Sequence, residues 1–334
     1  MASMIRIGIN GFGRIGRTLA RVVNNRPDME IVAINDLADA ATLAHLLKYD
    51  SVHRAFPGTV ETSGDQLVIN GVQVSMSAVK DPKDIPWKSA GVDVVIESTG
   101  HFRTLEAASG HLTAGASRVI ISAPPQSADV KTVVLGVNDH ILDANEPVIS
   151  NASCTTNCAA PMVKVLDEKW GIESGYITTV HSYTTDQRLH DAPHADLRRA
   201  RAAAYSIVPT TTGAAKAITR IFTHLEGKMG GCGIRVPVPD GSLTDLTCIL
   251  SRAPESIEEV NDAFLSASEG TLAGILAFNP DPIVSIDIVG NPYSCIFDPG
   301  LTSVMGSMVK VVGWYDNEMG YSNRLADLIA RVAV

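Results

Sequence analysis

One hexapeptide constrains this chain more than any other feature: Gly11-Phe12-Gly13-Arg14-Ile15-Gly16, a complete G-x-G-x-x-G. Before it, residues 5–10 read as a buried strand; after it, residues 17–23 have helical spacing and no breaker. Residues 29–34, "MEIVAI", read as a second strand, and Asp36 follows 20 residues past Gly16. Strand, glycines, helix and acid stand in the order that binding a dinucleotide requires. The glycines permit a tight turn and a close approach of backbone to pyrophosphate. The helix N-terminus offers the anion free N–H groups and the positive end of its dipole. A carboxylate after the second strand accepts hydrogen bonds from ribose hydroxyls and repels a 2′-phosphate, so Asp36 favours NAD over NADP.

Further apolar runs at 92–97, 118–121 and 133–137, with a helical stretch at 105–113, predict a mostly parallel sheet covered by helices. Past Cys154 the texture changes. A helix is expected over 159–170 and again over 255–269 and 322–332. Strands are expected over 175–181, 234–238, 243–250, 284–289, 294–297 and 309–315, broken by Pro, Gly and Asn. The fold class is therefore α/β: a Rossmann-type doubly wound domain plus a second α+β domain with a mixed or antiparallel sheet. No Walker P-loop is present, so ATP chemistry is not indicated.

The 334 residues suffice for two domains, and 45% apolar content fills their cores. A formal charge of −9 argues against nucleic acid as the main partner, although Arg198, Arg199 and Arg201 cluster locally. No run is long enough to span a bilayer, and "MASMIRIGIN" lacks a signal-peptide layout, which points to the cytoplasm. Five cysteines form an odd, sparse set rather than a secreted disulfide framework.

Two of those cysteines sit in "SNASCTTNC", residues 150–158. A disulfide between Cys154 and Cys158 does not suit a cytosolic chain. Zinc would need further ligands; His190-Asp191-Ala192-Pro193-His194 resembles H-E-x-x-H only superficially, because Pro193 opposes the required helix. No metal site is expected. The remaining reading makes Cys154 a nucleophile. Small cap-forming residues precede a helix there, and a thiol at a helix N-terminus is biased toward thiolate. Cys158 falls one turn further in and is expected to be buried and inert. Cys232, Cys248 and Cys295 read as packing residues. His181, at the end of a β-branched strand, is the candidate base.

Seven stretches then occur in order: "INGFGRIGR", "AIND", "LLKYD", "SNASCTTNC", "TTVHSYTTDQ", "PTTTGAAKAI" and "WYDNEMGYSN". With them the chain resembles the phosphorylating glyceraldehyde-3-phosphate dehydrogenases over essentially its whole length. The resemblance implies an NAD-binding domain over 4–153, a catalytic domain over 154–317, a terminal helix 318–334 packing back on the first domain, and a homotetramer. The implied reaction oxidises D-glyceraldehyde 3-phosphate with NAD and inorganic phosphate to 1,3-bisphosphoglycerate, a glycolytic step, through a cysteine thiohemiacetal and thioester. Cys154 resembles the nucleophile and His181 the base. Ser153, Thr155, Thr184, Arg199, Thr212, Gly213 and Arg235 match two anion sites. Arg14, Ile15, Asp36, Lys80 and Ser122 match cofactor contacts beside Gly11, Gly13 and Gly16, and Asn317 matches the residue holding the nicotinamide carboxamide. Arg198 and Arg201 read as solvated. Ala192, in a loop that approaches a neighbouring subunit's cofactor in the family, departs from strict NAD users. Pro193 and Asp36-Leu37 are NAD-like, so NAD preference with weak NADP use is expected. Two alternatives remain: an erythrose-4-phosphate dehydrogenase, and a non-catalytic NAD-binding protein on the same fold.

Overall fold

The structure is a computed structural model that describes residues 4–143 and 146–333; residues 1–3 of the opening decapeptide and Val334 of the expected terminal helix lie outside the described residues. The chain divides into two compact units. One comprises Met1–Val133, His140–Ala152 and Ser322–Val334, the other Val134–Asp139 and Ser153–Tyr321.

The first unit contains strands β1 (Ile5–Asn10), β2 (Met29–Asn35), β3 (Tyr49–Asp50), β4 (Arg54–Ala55), β5 (Val60–Ser63), β6 (Gln66–Ile69), β7 (Val72–Ser77), β8 (Val94–Glu97), β9 (Arg118–Ile121), β10 (Lys131–Thr132) and β11 (Val148–Ser150). Its helices are α1 (Arg14–Val23), α2 (Ala40–Lys48), α3 (Trp87–Ala90) and α4 (Leu105–Thr113). Nine strands form one sheet in the order β10-β11-β9-β8-β1-β2-β7-β6-β5. Pairing is parallel from β10 to β7 and antiparallel through β7, β6 and β5. Residues 7–10 of β1, 94–97 of β8 and 119–121 of β9 are buried on both faces, which is why these strands are mainly apolar. The chain leaves β1 toward β2 on one side while β8 flanks it on the other. The carboxyl ends of β1 and β8 therefore bound the crevice where such sheets bind ligands.

The second unit opens with α5 (Cys154–Trp170) and continues through β12 (Ile172–Ser182), β13 (Val208–Thr210), α6 (Ala214–Ile221), β14 (Met229–Val236), β15 (Ser242–Leu250), α7 (Ile257–Glu269), β16 (Leu276–Phe278), β17 (Cys295–Phe297), β18 (Ser303–Met305) and β19 (Met308–Tyr315). The last helix, α8 (Met319–Val332), joins the first unit from Ser322 onward. The sheet order is β13-β14-β12-β15-β19-β17-β16, with β18 on β19. It is mixed: β12 runs parallel to β14 and β16 to β17, while the other pairs are antiparallel. Strand β15 alternates buried and half-buried residues along its length, as a sheet with one covered face requires. In the core the Phe264 and Phe297 rings stack with centroids 3.9 Å apart.

Two expected strands are corrected. Of the run 133–137, only Val133 touches the sheet, donating its N–H to the Ser150 carbonyl; Val134–Val137 turns instead, closed by Val137 N–H to Val134 O. The strand itself is the two-residue β10 just before it. Residues 284–289 form a 3₁₀ turn over Ser285–Ile288, because the Asp287 carboxylate accepts the Val284 N–H and curls the chain. Among the described residues no helix is long and apolar enough to cross a membrane.

Candidate active site

In the first unit the glycine turn is built as its spacing predicts. Gly11 has φ +89°, and a Cβ there would stand 2.8 Å from the Thr99 nitrogen. At Gly16 a Cβ would meet the Gly11 carbonyl at 2.6 Å, so this position lets α1 pack against the turn. Gly13, which caps α1, has nothing within 4 Å of its Cβ position: the turn presents an open backbone face at a helix N-terminus. Asp36, just past β2, accepts hydrogen bonds from the Phe12 N–H (2.7 Å) and the Ala38 N–H (3.0 Å). Its carboxylate thus sits against the turn. These features fit a dinucleotide. Arg14 forks onto Asp50 with both guanidinium nitrogens. Burial raises the Asp50 carboxyl, but the Arg14 fork and the His53 and Val52 N–H groups prevail and hold it at about 2. Ile15 is half-buried on the first turn of α1, Lys80 is exposed beyond β7, and Ser122 follows β9 with its N–H on the Glu97 carbonyl.

In the second unit α5 begins at Cys154. Ser153 caps it, its Oγ accepting the Thr156 N–H at 3.1 Å. The Cys154 Sγ lies 3.4 Å from His181 Nε2. His181 Nδ1 is 2.8 Å from the Ser182 carbonyl. The carbonyl can only accept and Arg235 Nη1, also against Nδ1, can only donate, so these neighbours do not by themselves fix the tautomer; a base toward sulfur needs the proton on Nδ1, which leaves the Nε2 lone pair facing Cys154. Strand register supplies the third member: His181 on β12 is paired with Arg235 on β14. The Arg235 Nη1 donates to the Ser182 carbonyl at 3.0 Å and rests against His181 Nδ1.

At half-buried Cys154 the helix end does not act alone. Burial pushes the Cys154 thiol up to about 11, against the opposing pull of the Arg235 charge. Burial, helped by that same charge, pushes the His181 imidazole down to about 3. Each charge taken singly is thus disfavoured. Moving one proton across the 3.4 Å contact instead creates both charges at once, where they attract each other and the α5 terminus favours the sulfur. The arrangement is a neutral pair poised to become an ion pair. Cys158 is fully buried one turn along, as expected.

The anion-site residues are less uniformly disposed. Arg199 donates Nε to Thr210 Oγ1 (2.9 Å) and pairs with Asp186 and Asp196. The Thr155 hydroxyl is buried and bonded to the Tyr315 hydroxyl (2.9 Å), which also reaches Thr179 (2.8 Å). Thr184 lies just past the end of β12, while Thr212 and Gly213 lie between β13 and α6; Thr212 Oγ1 accepts the Ala214 N–H. Asn317 Oδ1 accepts both the Ser182 hydroxyl (2.8 Å) and the Ser242 hydroxyl (2.7 Å), which fixes the amide and leaves its NH₂ as the presented end. Arg198 and Arg201 are exposed, Arg201 on Asp191. Residues 190–194 are not helical: bends at His190 and Asp191 lead into irregular chain.

Known proteins bear directly on this arrangement. A family model described as "Glyceraldehyde 3-phosphate dehydrogenase, NAD binding domain" matches residues 5–105, and the model of the family's C-terminal domain matches 153–317. The glyceraldehyde-3-phosphate dehydrogenase of Mycobacterium avium is 55% identical over 98% of both chains. Those of Mycolicibacterium smegmatis and Geobacillus stearothermophilus are each 54% identical over 98% of both chains. This chain belongs to the glyceraldehyde-3-phosphate dehydrogenase family.

The dehydrogenase site also contains residues that sequence reasoning passed over. Tyr315 packs edge-on to His181, with ring centroids 6.0 Å apart. Thr179 lies two residues before His181 on the same face of β12, both buried; that period-two polar pair was the available signal. Asp186, inside "TTDQ", had no local signal, because its partner Arg199 is 13 residues away in a bent loop.

Proposed function

We propose that this chain catalyses the phosphorylating oxidation of D-glyceraldehyde 3-phosphate with NAD to 1,3-bisphosphoglycerate. The observation that carries the reading is the Cys154–His181 contact at the head of α5, with Arg235 beside it. As Cys154 sulfur attacks the aldehyde carbon, its proton passes to His181 Nε2, and the new thiohemiacetal oxygen lies near the Cys154 N–H. That N–H is one of the first-turn donors an α-helix cannot satisfy internally, so it can stabilise the oxyanion. Bound NAD supplies the hydride acceptor. Oxidation leaves a thioester on Cys154; phosphate then attacks its carbonyl, the C–S bond breaks, and the thiol is regenerated.

In this reading Gly11, Gly13, Gly16, Arg14, Ile15, Asp36, Lys80, Ser122 and Asn317 contact the cofactor. Ser153, Thr155, Thr184, Arg199, Thr212, Gly213 and Arg235 serve the substrate phosphate and the attacking phosphate. Phosphate would draw Arg199 from its two carboxylates, a charge-assisted exchange. In this assignment residues 4–153, with the C-terminal segment that carries α8 (Met319–Val332), make up the NAD-binding domain and residues 154–317 the catalytic domain. The enzyme works in the cytoplasm as a homotetramer, which would cover the exposed Leu189, Leu197, Tyr205 and Ile207.

NADH production from glyceraldehyde 3-phosphate, titrated with phosphate, tests the reading: turnover should rise with phosphate and saturate. Phosphate-independent turnover with erythrose 4-phosphate would favour the tetrose enzyme instead, and absence of turnover with either aldehyde would favour a binding protein.

A further inference from the structure

A buried carboxylate lies under the glycine turn, outside the residues given a role above. Glu97 ends β8 and is 1% exposed. Its Oε2 accepts Asn10 Nδ2 (2.6 Å) and faces His111 Nε2 (3.0 Å). Its Oε1 accepts the Thr99 N–H (2.8 Å) and the Thr99 hydroxyl. The protonation state follows from the next shell. Trp87 Nε1 donates to His111 Nδ1 (3.0 Å), and an indole N–H can only donate. His111 therefore carries its proton on Nε2 and donates it to Glu97. Asn10 is likewise oriented, because its Oδ1 accepts Asn35 Nδ2 (2.8 Å), and Asn35 Oδ1 accepts Ser77 Oγ and the Val79 N–H. Glu97 is a carboxylate ion with four neutral donors.

Burying such a charge costs several kcal/mol, and apolar packing could replace it if only stability were served. Three of the four donors, those of Asn10 and Thr99, share a position beside the glycine turn. Asn10 is the last residue before Gly11. Thr99 is the group against which a Gly11 Cβ would collide. Ser98, between Glu97 and Thr99, donates its hydroxyl to the Gly11 carbonyl at 2.7 Å. One carboxylate thus ties the turn after β1 to the turn after β8, and His111 anchors it to α4.

We propose that Glu97 is a positioning residue for the dinucleotide: it fixes the spacing between the 10–13 turn and the 97–99 turn. The proposal rests on the NAD-binding reading of that turn. Glu97→Gln keeps the shape but sets an NH₂ against donors. In the full-length enzyme, the NAD dissociation constant and KM should rise about tenfold or more, the worth of one charge-assisted hydrogen bond. At saturating NAD, kcat and the aldehyde KM should stay within about twofold, since no reacting atom is touched. His111→Leu, remote from the turn, should weaken NAD by about threefold through the loss of one donor and serves if Glu97→Gln does not fold. Wild-type NAD affinity in both variants, with only a lower melting temperature, would reduce Glu97 to a structural group. If the wild-type protein itself bound no NAD, the functional reading would fail first, and this proposal with it.

Discussion

At Cys154 opposed influences meet: burial holds the thiol neutral, while the helix end, Arg235 and His181 make its ionisation accessible. In the proposed mechanism His181 would then control sulfur reactivity. Iodoacetamide should label Cys154 far faster than Cys158 at neutral pH, and His181→Asn should slow Cys154 labelling about tenfold or more, since general base assistance is worth at least that. Equal rates in the two proteins, read by peptide mass spectrometry, would remove His181 from the chemistry. Cys154→Ser should bind NAD and lose turnover. Asp36 permits a similar test. Its carboxylate faces the turn, so kcat/KM should favour NAD over NADP by about tenfold or more, a difference of about 1.4 kcal/mol; equal values would show that this charge does not discriminate. Residues with a local signature, such as Cys154 and Asp36, were legible in the sequence. The contacts of Tyr315, Asp186 and Glu97 were not, because they arise from strands and loops that meet only in the fold.

At the level of elements, the strand–turn–helix from β1 to α1 was legible because every local preference agrees with it: apolar strand, glycines at the forced positions, uninterrupted helix. Gly11→Ala breaks that agreement twice, by positive φ and by collision with the Thr99 backbone. It should cost about 1–3 kcal/mol in a denaturant melt and weaken NAD binding as well; a neutral substitution would mean the turn adjusts freely. The misread segments had the opposite character. Residues 133–137 and 284–289 are short and apolar, and periodicity cannot tell a buried turn from a strand at that length. In the second, one side chain, Asp287, decided the outcome. The antiparallel strands β5–β7 were passed over although β7 alternates Val72, Val74 and Met76 with Gln73, Ser75 and Ser77, the period-two pattern of a half-covered strand.

At the scale of the whole molecule, stability should carry a pH signature from the second unit. Burial, then the charges of Asp316 and Glu318, push the Asp240 carboxyl up to about 9. A carboxyl raised in the folded state stabilises most below its unfolded value, near 3.9, and that contribution fades as pH climbs toward the folded value. Asp240→Asn does not titrate. Its melting temperature should therefore gain on wild type between pH 5 and pH 8, by the equivalent of about 1–4 kcal/mol; a pH-independent gap would contradict the shift. Light scattering should give about 140 kDa, four times 35.4 kDa, for the tetramer. The chemistry itself is tested most directly by mixing enzyme, NAD and glyceraldehyde 3-phosphate without phosphate and following NADH on the millisecond scale. One NADH per Cys154 should form in a burst, with the acyl group found on that sulfur, and added phosphate should then release steady turnover. Steady turnover without phosphate, or a burst that survives in Cys154→Ser, would contradict a thioester on this cysteine.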